Sequence, residues 1–217
     1  MKLLRNLNLF RPCSEKPYLE NAYLVIEDDT FLSIGTSEPG GEFEEVVDCK
    51  GKFALPGLIN AHHHLYSALA VGMPPPGKKP NNFTEILQEV WWKLDLALDR
   101  DTLIASFESG LIDGLKAGAT TVIDHHCSPS FIEGSLSLLG ETGKRLGVAT
   151  GLAFEVTDRN GSELFEKSLQ ENLDAAEKHA DDPELATLLG LHASFTLSDD
   201  SLKKIAEVMS KNSGLGI

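Results

Sequence analysis

The sequence predicts an α/β protein in which a small antiparallel β unit precedes a series of strand–helix repeats. Three observations carry this prediction. Residues 1–54 are short runs of alternating character parted by turn residues. After Pro56, continuous apolar runs alternate with stretches of helical length and period. Six of the seven histidines gather where a predicted strand ends.

The β unit is read from "KLLRNLNLF", "AYLVIED", "FLSIG" and "EEVVD", with turns at Asp28-Asp29 and Pro39-Gly40-Gly41. The second unit, residues 55–217, opens with "LPGLIN", an apolar strand running into His62, His63 and His64. The loop "GMPPPGKKPNN" leads to the helix "FTEILQEVWWKLDLAL", where one of Trp91 and Trp92 is expected in the core and the other at a pocket edge. A second helix from Asp101 has Leu103, Ile104, Phe107, Leu111 and Leu115 on one face and Gly118 as its stop. "TTVIDHHC", "VATGLAF" and "LATLLGLHA" read as further strands, with helices at "FIEGSLSLLGETGKRLG" and "SELFEKSLQENLDAAEKHA". Ser198 caps a last helix with Leu202, Ile205, Ala206 and Met209 buried, and "LGI" begins another strand. Continuously apolar strands alternating with helices are parallel strands covered by helices. An open doubly wound sheet and a (β/α) barrel both satisfy that pattern, although no GxGxxG follows the first strand.

Charge narrows the function classes. The formal net charge is −14, which argues against nucleic acid and anionic membrane surfaces, because both are held by Lys and Arg. Cys13, Cys49 and Cys127 are odd in number and widely spaced, as expected of reduced thiols in a cytoplasm. The start "MKLLRNLNLFRP" is interrupted by Arg5, Asn6 and Asn8 and reads as a strand, not as a signal peptide.

In a parallel α/β domain, reactive groups collect at the C-terminal ends of the strands. His62–His64, Asp124–His126 and His192 all occupy such ends. Side chains two apart on an extended segment point the same way, so His62 and His64 can reach one ion while His63 faces elsewhere. Imidazole suits Zn²⁺ and other late first-row ions.

"GKFALPGLINAHHHL" resembles the first-strand signature of the amidohydrolase superfamily. With "EILQEVWWKLDLAL", "GATTVIDHHCSPSFIEGSL", "FEVTDRNG" and "GLHASFTLSDDSL", the chain is most similar to the SsnA-type aminohydrolases, relatives of the chlorohydrolases and of guanine and cytosine deaminases. The resemblance implies the N-terminal part of a (β/α)8 TIM-like metal-dependent hydrolase barrel, about four and a half βα units, preceded by part of a small β-sandwich. It implies that His62 and His64 are the first two ligands of one divalent metal ion, zinc or alternatively iron. His192 falls on a histidine that contacts substrate, and Arg159, His125 and His126 are further candidates for substrate contact. Each has a structural rival: Arg159 can pair with Asp158 or Glu155, one of His125 and His126 can support the site through a backbone carbonyl, and Asp124 can orient a neighbour. Cys127 is expected as a buried filler. "LATLLGLHA" offers no bridging lysine or glutamate, which favours a mononuclear site. The remaining ligands and the acid–base group are expected beyond residue 217, so this chain reads as an inactive N-terminal fragment whose apolar faces invite self-association. The implied reaction is hydrolysis of a non-peptide C–N bond, or loss of chloride, in a small heterocyclic substrate. Two alternatives stand: a cyclic-amide hydrolase, and a metal-binding half-barrel without catalysis.

Overall fold

Alternation in the first run forms β1 (Lys2–Phe10), which buries Leu3, Leu7 and Leu9. In the computed structural model, which describes residues 1–217, β1 pairs antiparallel with β2 (Tyr18–Glu27), and β2 with β3 (Thr30–Gly35). β4 (Glu45–Asp48) and β5 (Phe53–Ala54) instead run parallel to β1. The sheet is therefore mixed, where the sequence predicts an antiparallel one. The chain between β3 and β4 does not turn back as a hairpin but crosses to β1, so β4 joins in the same direction as β1. Leu7, Leu9, Ala22 and Leu24 form the small core of this unit, Met1–Gly57.

The second compact unit, Leu58–Ile217, is built on parallel strands. β6 (Leu58–His63), β7 (Ala119–His126) and β8 (Ala149–Val156) lie side by side in chain order. Beyond β8 the run "LATLLGL" pairs as two short pieces, β9 (Leu185–Thr187) and β10 (Gly190–Leu191). Leu188 between them forms an isolated parallel bridge to Gly216. β8 is buried along nearly its whole length, as its unbroken apolar run requires.

The helices follow their local signals. α1 (Phe83–Ile86) is capped by the Asn82 side chain and continues through a π-helical stretch, Leu87–Trp91, into α2 (Trp92–Ala97). The sequence predicts one regular helix here; the π turn inserts a residue and rotates everything after it. α3 (Arg100–Lys116) starts at a reciprocal pair in which Asp99 and Thr102 each bond the other's backbone N–H. Gly118, at φ +90°, takes the left-handed turn that leads into β7. α4 (Ser135–Arg145) and α5 (Ser162–Lys178) cover the same face of the sheet. Phe107 and Leu111 of α3, Leu136 and Leu139 of α4 and Ala175 of α5 pack on Val122, Leu152 and Phe154. α6 (Asp199–Lys211) is capped by Ser198 as predicted, but only Ile205 is fully buried. Val208 and Met209 pack beside it, while Leu202 and Ala206 face out, because the contact with the core of α5 runs along a narrower stripe.

The gap between β9 and β10 is closed by a side chain. Asn172 of α5 is fully buried; its Oδ1 accepts the Phe154 N–H at 2.8 Å and its Nδ2 donates to the Phe154 carbonyl at 3.0 Å. Gly190 comes so close to β8 that a Cβ there would meet the Phe154 carbonyl oxygen at 2.5 Å. Replacing the amide by an apolar group leaves both Phe154 backbone groups buried without partners. Asn172→Leu is expected to lower stability by about 2–4 kcal/mol, read as a drop in the urea midpoint; an unchanged midpoint would show that the strand gap closes without this side chain.

Candidate metal centre

β6 ends in His62, His63 and His64, and the two alternate imidazoles meet. His62 Nε2 and His64 Nε2 stand 3.2 Å apart with their rings nearly perpendicular. Two nitrogens bound to a tetrahedral zinc ion at about 2.0–2.1 Å lie about 3.3 Å apart, so the pair fits such an ion. His64 Nδ1 lies 2.9 Å from the carbonyl oxygen of His125, to which it can only donate. That bond puts the proton on Nδ1 and leaves Nε2 as a lone pair, the tautomer a metal ligand needs. His63 turns away, and its Nδ1 accepts the His64 N–H at 2.8 Å. This chain brings no third His, Cys, Asp or Glu side chain into position for the same ion.

β7 supports the pair from the neighbouring strand. Asp124 is fully buried and its Oδ1 accepts the Leu65 N–H at 2.5 Å, which ties down the chain directly after His64. Burial raises the Asp124 carboxyl to about 7, against the pull of that one hydrogen bond. His126 is also fully buried; Ser128 spends its hydroxyl proton on the Phe131 carbonyl and so accepts from His126 Nε2. His126 sits edge-on to Tyr66 and Phe154, away from the His62–His64 pair. His125 lies edge-on to His64, and neither of its ring nitrogens has a partner.

Residues 53–217 match the model of the amidohydrolase family. The chain belongs to that family.

This amidohydrolase is 27% identical over 206 residues to a 5-methylthioadenosine/S-adenosylhomocysteine deaminase of Bacillus cereus (strain AH820), a match covering 89% of this chain and 44% of the relative. The chain thus spans less than half the length of that curated relative. Among solved structures it is similar to atrazine chlorohydrolase from Arthrobacter aurescens TC1 complexed with zinc, with a TM-score of 0.78 and 20% identity over 98% of this chain and 51% of the other. E. coli guanine deaminase matches at a TM-score of 0.77 with 17% identity, over 97% and 51% of the two chains. These likenesses establish the fold: the parallel strands are the opening strands of an amidohydrolase barrel. No helix of the chain is long and apolar enough to cross a membrane.

A cavity of about 270 Å³ opens beside His64, walled by Tyr66, Phe83, Leu87, Trp91 and Trp92, with Asp95, Glu155 and His192 as its ionisable groups. Both tryptophans line it, where the sequence assigned only one to a pocket. The π turn explains this: Trp92 N–H bonds the Leu87 carbonyl five residues back, which brings Leu87, Trp91, Trp92 and Asp95 to one side. His192 Nδ1 lies 2.8 Å from the Thr196 hydroxyl, which donates its own proton to Ala193 O. His192 therefore donates from Nδ1 and presents an unprotonated Nε2, 3.8 Å from Glu155 Oε2. Burial and the nearby Arg159 lower its pKa.

Arg159 is not on the cavity wall. Its side chain is 5% exposed and bonds Glu155 Oε1 through Nε and Nη2, Asp95 Oδ2 at 2.6 Å and Cys127 Sγ. Of the two partners open to it in the sequence, it takes Glu155; Asp158 instead accepts from Ser198 N and Ser201 Oγ. Cys127 is buried as expected, with its thiol pushed up by burial. Asp95 was not singled out from sequence. Its one signal is a carboxylate inside the apolar run "KLDLAL", eight residues after Leu87.

Burial pushes the His126 imidazole down to about 3. In the unfolded chain it titrates near the usual value of about 6.5, so between those values the unfolded state binds more protons. The neutral His126 therefore supports the fold fully above about 6.5, and that support is lost as pH falls towards 3. Asp124, raised to about 7, acts in the opposite sense, so the test is a comparison: from pH 7.5 to pH 5 the urea midpoint of the unsubstituted chain should shift further downward, relative to its value at pH 7.5, than that of His126→Gln; equal slopes in the two proteins would remove His126 as a cause.

Proposed function

We propose that this chain carries the opening half of the active site of a metal-dependent aminohydrolase, which hydrolyses a C–N bond of a small heterocyclic substrate through one divalent ion, zinc by preference. The single observation that supports this reading is the His62–His64 pair, with its metal-matched spacing and a tautomer set by the neighbouring strand. A family relative named as a deaminase and a zinc-bound barrel of like fold are consistent with it.

When bound, such an ion supplies Lewis-acid chemistry that makes a water nucleophilic near neutral pH. The residues of this chain hold and orient. His62 Nε2 and His64 Nε2 are the ligands, His125 O keeps the proton of His64 on the far nitrogen, and Asp124 anchors the backbone after it. His192, oriented through Thr196, presents a lone pair to the cavity and can accept a proton or an N–H there. The aromatic wall of Tyr66, Phe83, Trp91 and Trp92 suits a flat ring and keeps water off one side of it. The pair supplies two ligands of the three that a catalytic zinc site usually draws from protein, so the ion in this chain alone is held weakly.

Two measurements test the reading. Equilibrium dialysis against zinc should show binding to this chain that is abolished in the His62→Ala/His64→Ala double variant; retention of metal by the double variant would sink the proposal. A protein containing this chain with a complete barrel should release ammonia from an amino-substituted purine, pyrimidine or triazine, lose that activity to a chelator and regain it with zinc.

A further inference from the structure

The cavity beside His64 has an unusual balance of charge. Two buried carboxylates, Asp95 and Glu155, share a single guanidinium behind them, and each spends one oxygen on it: Asp95 Oδ2 and Glu155 Oε1. The second oxygens differ in position and are not consumed by Arg159. Asp95 Oδ1 is buried without any partner, in a residue only 2% exposed. Glu155 Oε2 stands 3.8 Å from His192 Nε2, itself a lone pair. Asp95, Glu155 and His192 all line the cavity, whereas Arg159 does not. Arg159 lies 5.2 Å from the Trp92 ring centre and closes the cluster from behind.

A buried acceptor without a donor costs free energy that a ligand can recover by supplying one. Three residues with an acceptor left over border the same cavity, with one positive charge against two carboxyl groups, so the group they fit is a planar donor of two or more N–H bonds. An anionic group would face excess negative charge, and a carbonyl would find the unpaired Trp92 indole N–H but lone pairs on Asp95, Glu155 and His192. From this geometry we infer that Asp95 and Glu155 form a subsite for an amidine-, guanidine- or amino-substituted ring edge, and that Arg159 sets the two carboxylates and does not itself touch the ligand. This inference rests on the proposed aminohydrolase reading for its substrate, and deepens it by assigning the residues that select it; the subsite itself needs no metal.

The chain has two tryptophans, Trp91 and Trp92, and both wall this cavity. Its intrinsic fluorescence therefore reports on the subsite directly. The test titrates the 217-residue chain with benzamidinium and, separately, with benzoate, a partner of the same shape that offers acceptors in place of donors. A chelator is present throughout, so failure of zinc binding at His62 and His64 leaves the outcome unaffected. Benzamidinium should change the tryptophan emission saturably and benzoate should not. Asp95→Asn and Glu155→Gln, each checked for an unaltered circular dichroism spectrum, should weaken benzamidinium by about tenfold to a hundredfold, the loss of a charge-assisted hydrogen bond. Benzoate binding as tight as benzamidinium, or no benzamidinium response in the unsubstituted chain, would overturn the inference whether or not the variants fold.

Discussion

Two bonds between the ends of β6 and β7 hold the His62–His64 pair in place. The Leu65 N–H points into the buried Asp124 carboxylate, and His64 Nδ1 donates to the carbonyl of His125. The first fixes where the chain leaves β6, and the second fixes which nitrogen of His64 carries the proton. The first acts together with the burial of Leu65 and the Ser106 hydroxyl, which donates to the Leu65 and Tyr66 carbonyls. Without the second, His64 could present a protonated Nε2 to the ion instead of a lone pair. Parallel pairing is what brings these groups level, since it sets the C-terminal ends of adjacent strands side by side.

The rest of the site is layered on that junction. His126, one residue past the His125 carbonyl, is turned into the core, where Tyr66 and Phe154 lie edge-on to it and the Ser128 hydroxyl accepts a hydrogen bond from its Nε2. Two consecutive histidines thus divide their work by the alternation of a strand: His125 towards His64, His126 towards packing. The cavity wall comes from the connection after β6 and its floor from the end of β8, so the loop that carries Trp91, Trp92 and Asp95 must dock for Arg159 to find its second carboxylate. A charge cluster of that depth is costly to assemble and is tolerated because each charge has an opposite neighbour. It makes the docking of α2 on the barrel conditional on Arg159, a link of 64 residues along the chain.

Much of this was readable from single residues. The Ser198 cap, the Gly118 stop and the strand-end positions of His62, His64 and His192 follow from rules that act over a few neighbours. The mixed N-terminal sheet was not readable, because whether β4 returns beside β3 or crosses to β1 depends on a route through residues 36–44 that no local pattern specifies. The division of labour among the helical residues 83–97 was hidden for a related reason. One extra residue in a turn rotates all later side chains by about 100°, and a regular helical wheel sets Trp92 about 140° from Leu87, whereas the π turn brings both to the cavity wall. Arg159 showed the same limit: its neighbours Glu155 and Asp158 were both in reach, and Asp95 was invisible.

By itself the sequence determined the class of the fold, the strand ends where chemistry collects and the alternate imidazoles that suit a metal ion, since all of these rest on periodicity and short-range stereochemistry. Only the tertiary structure decided which carboxylates surround Arg159, which histidines turn inward and what faces the cavity. Those outcomes depend on desolvation and on contacts between segments far apart in the chain, and a buried charge takes whatever partner the packed fold brings to it.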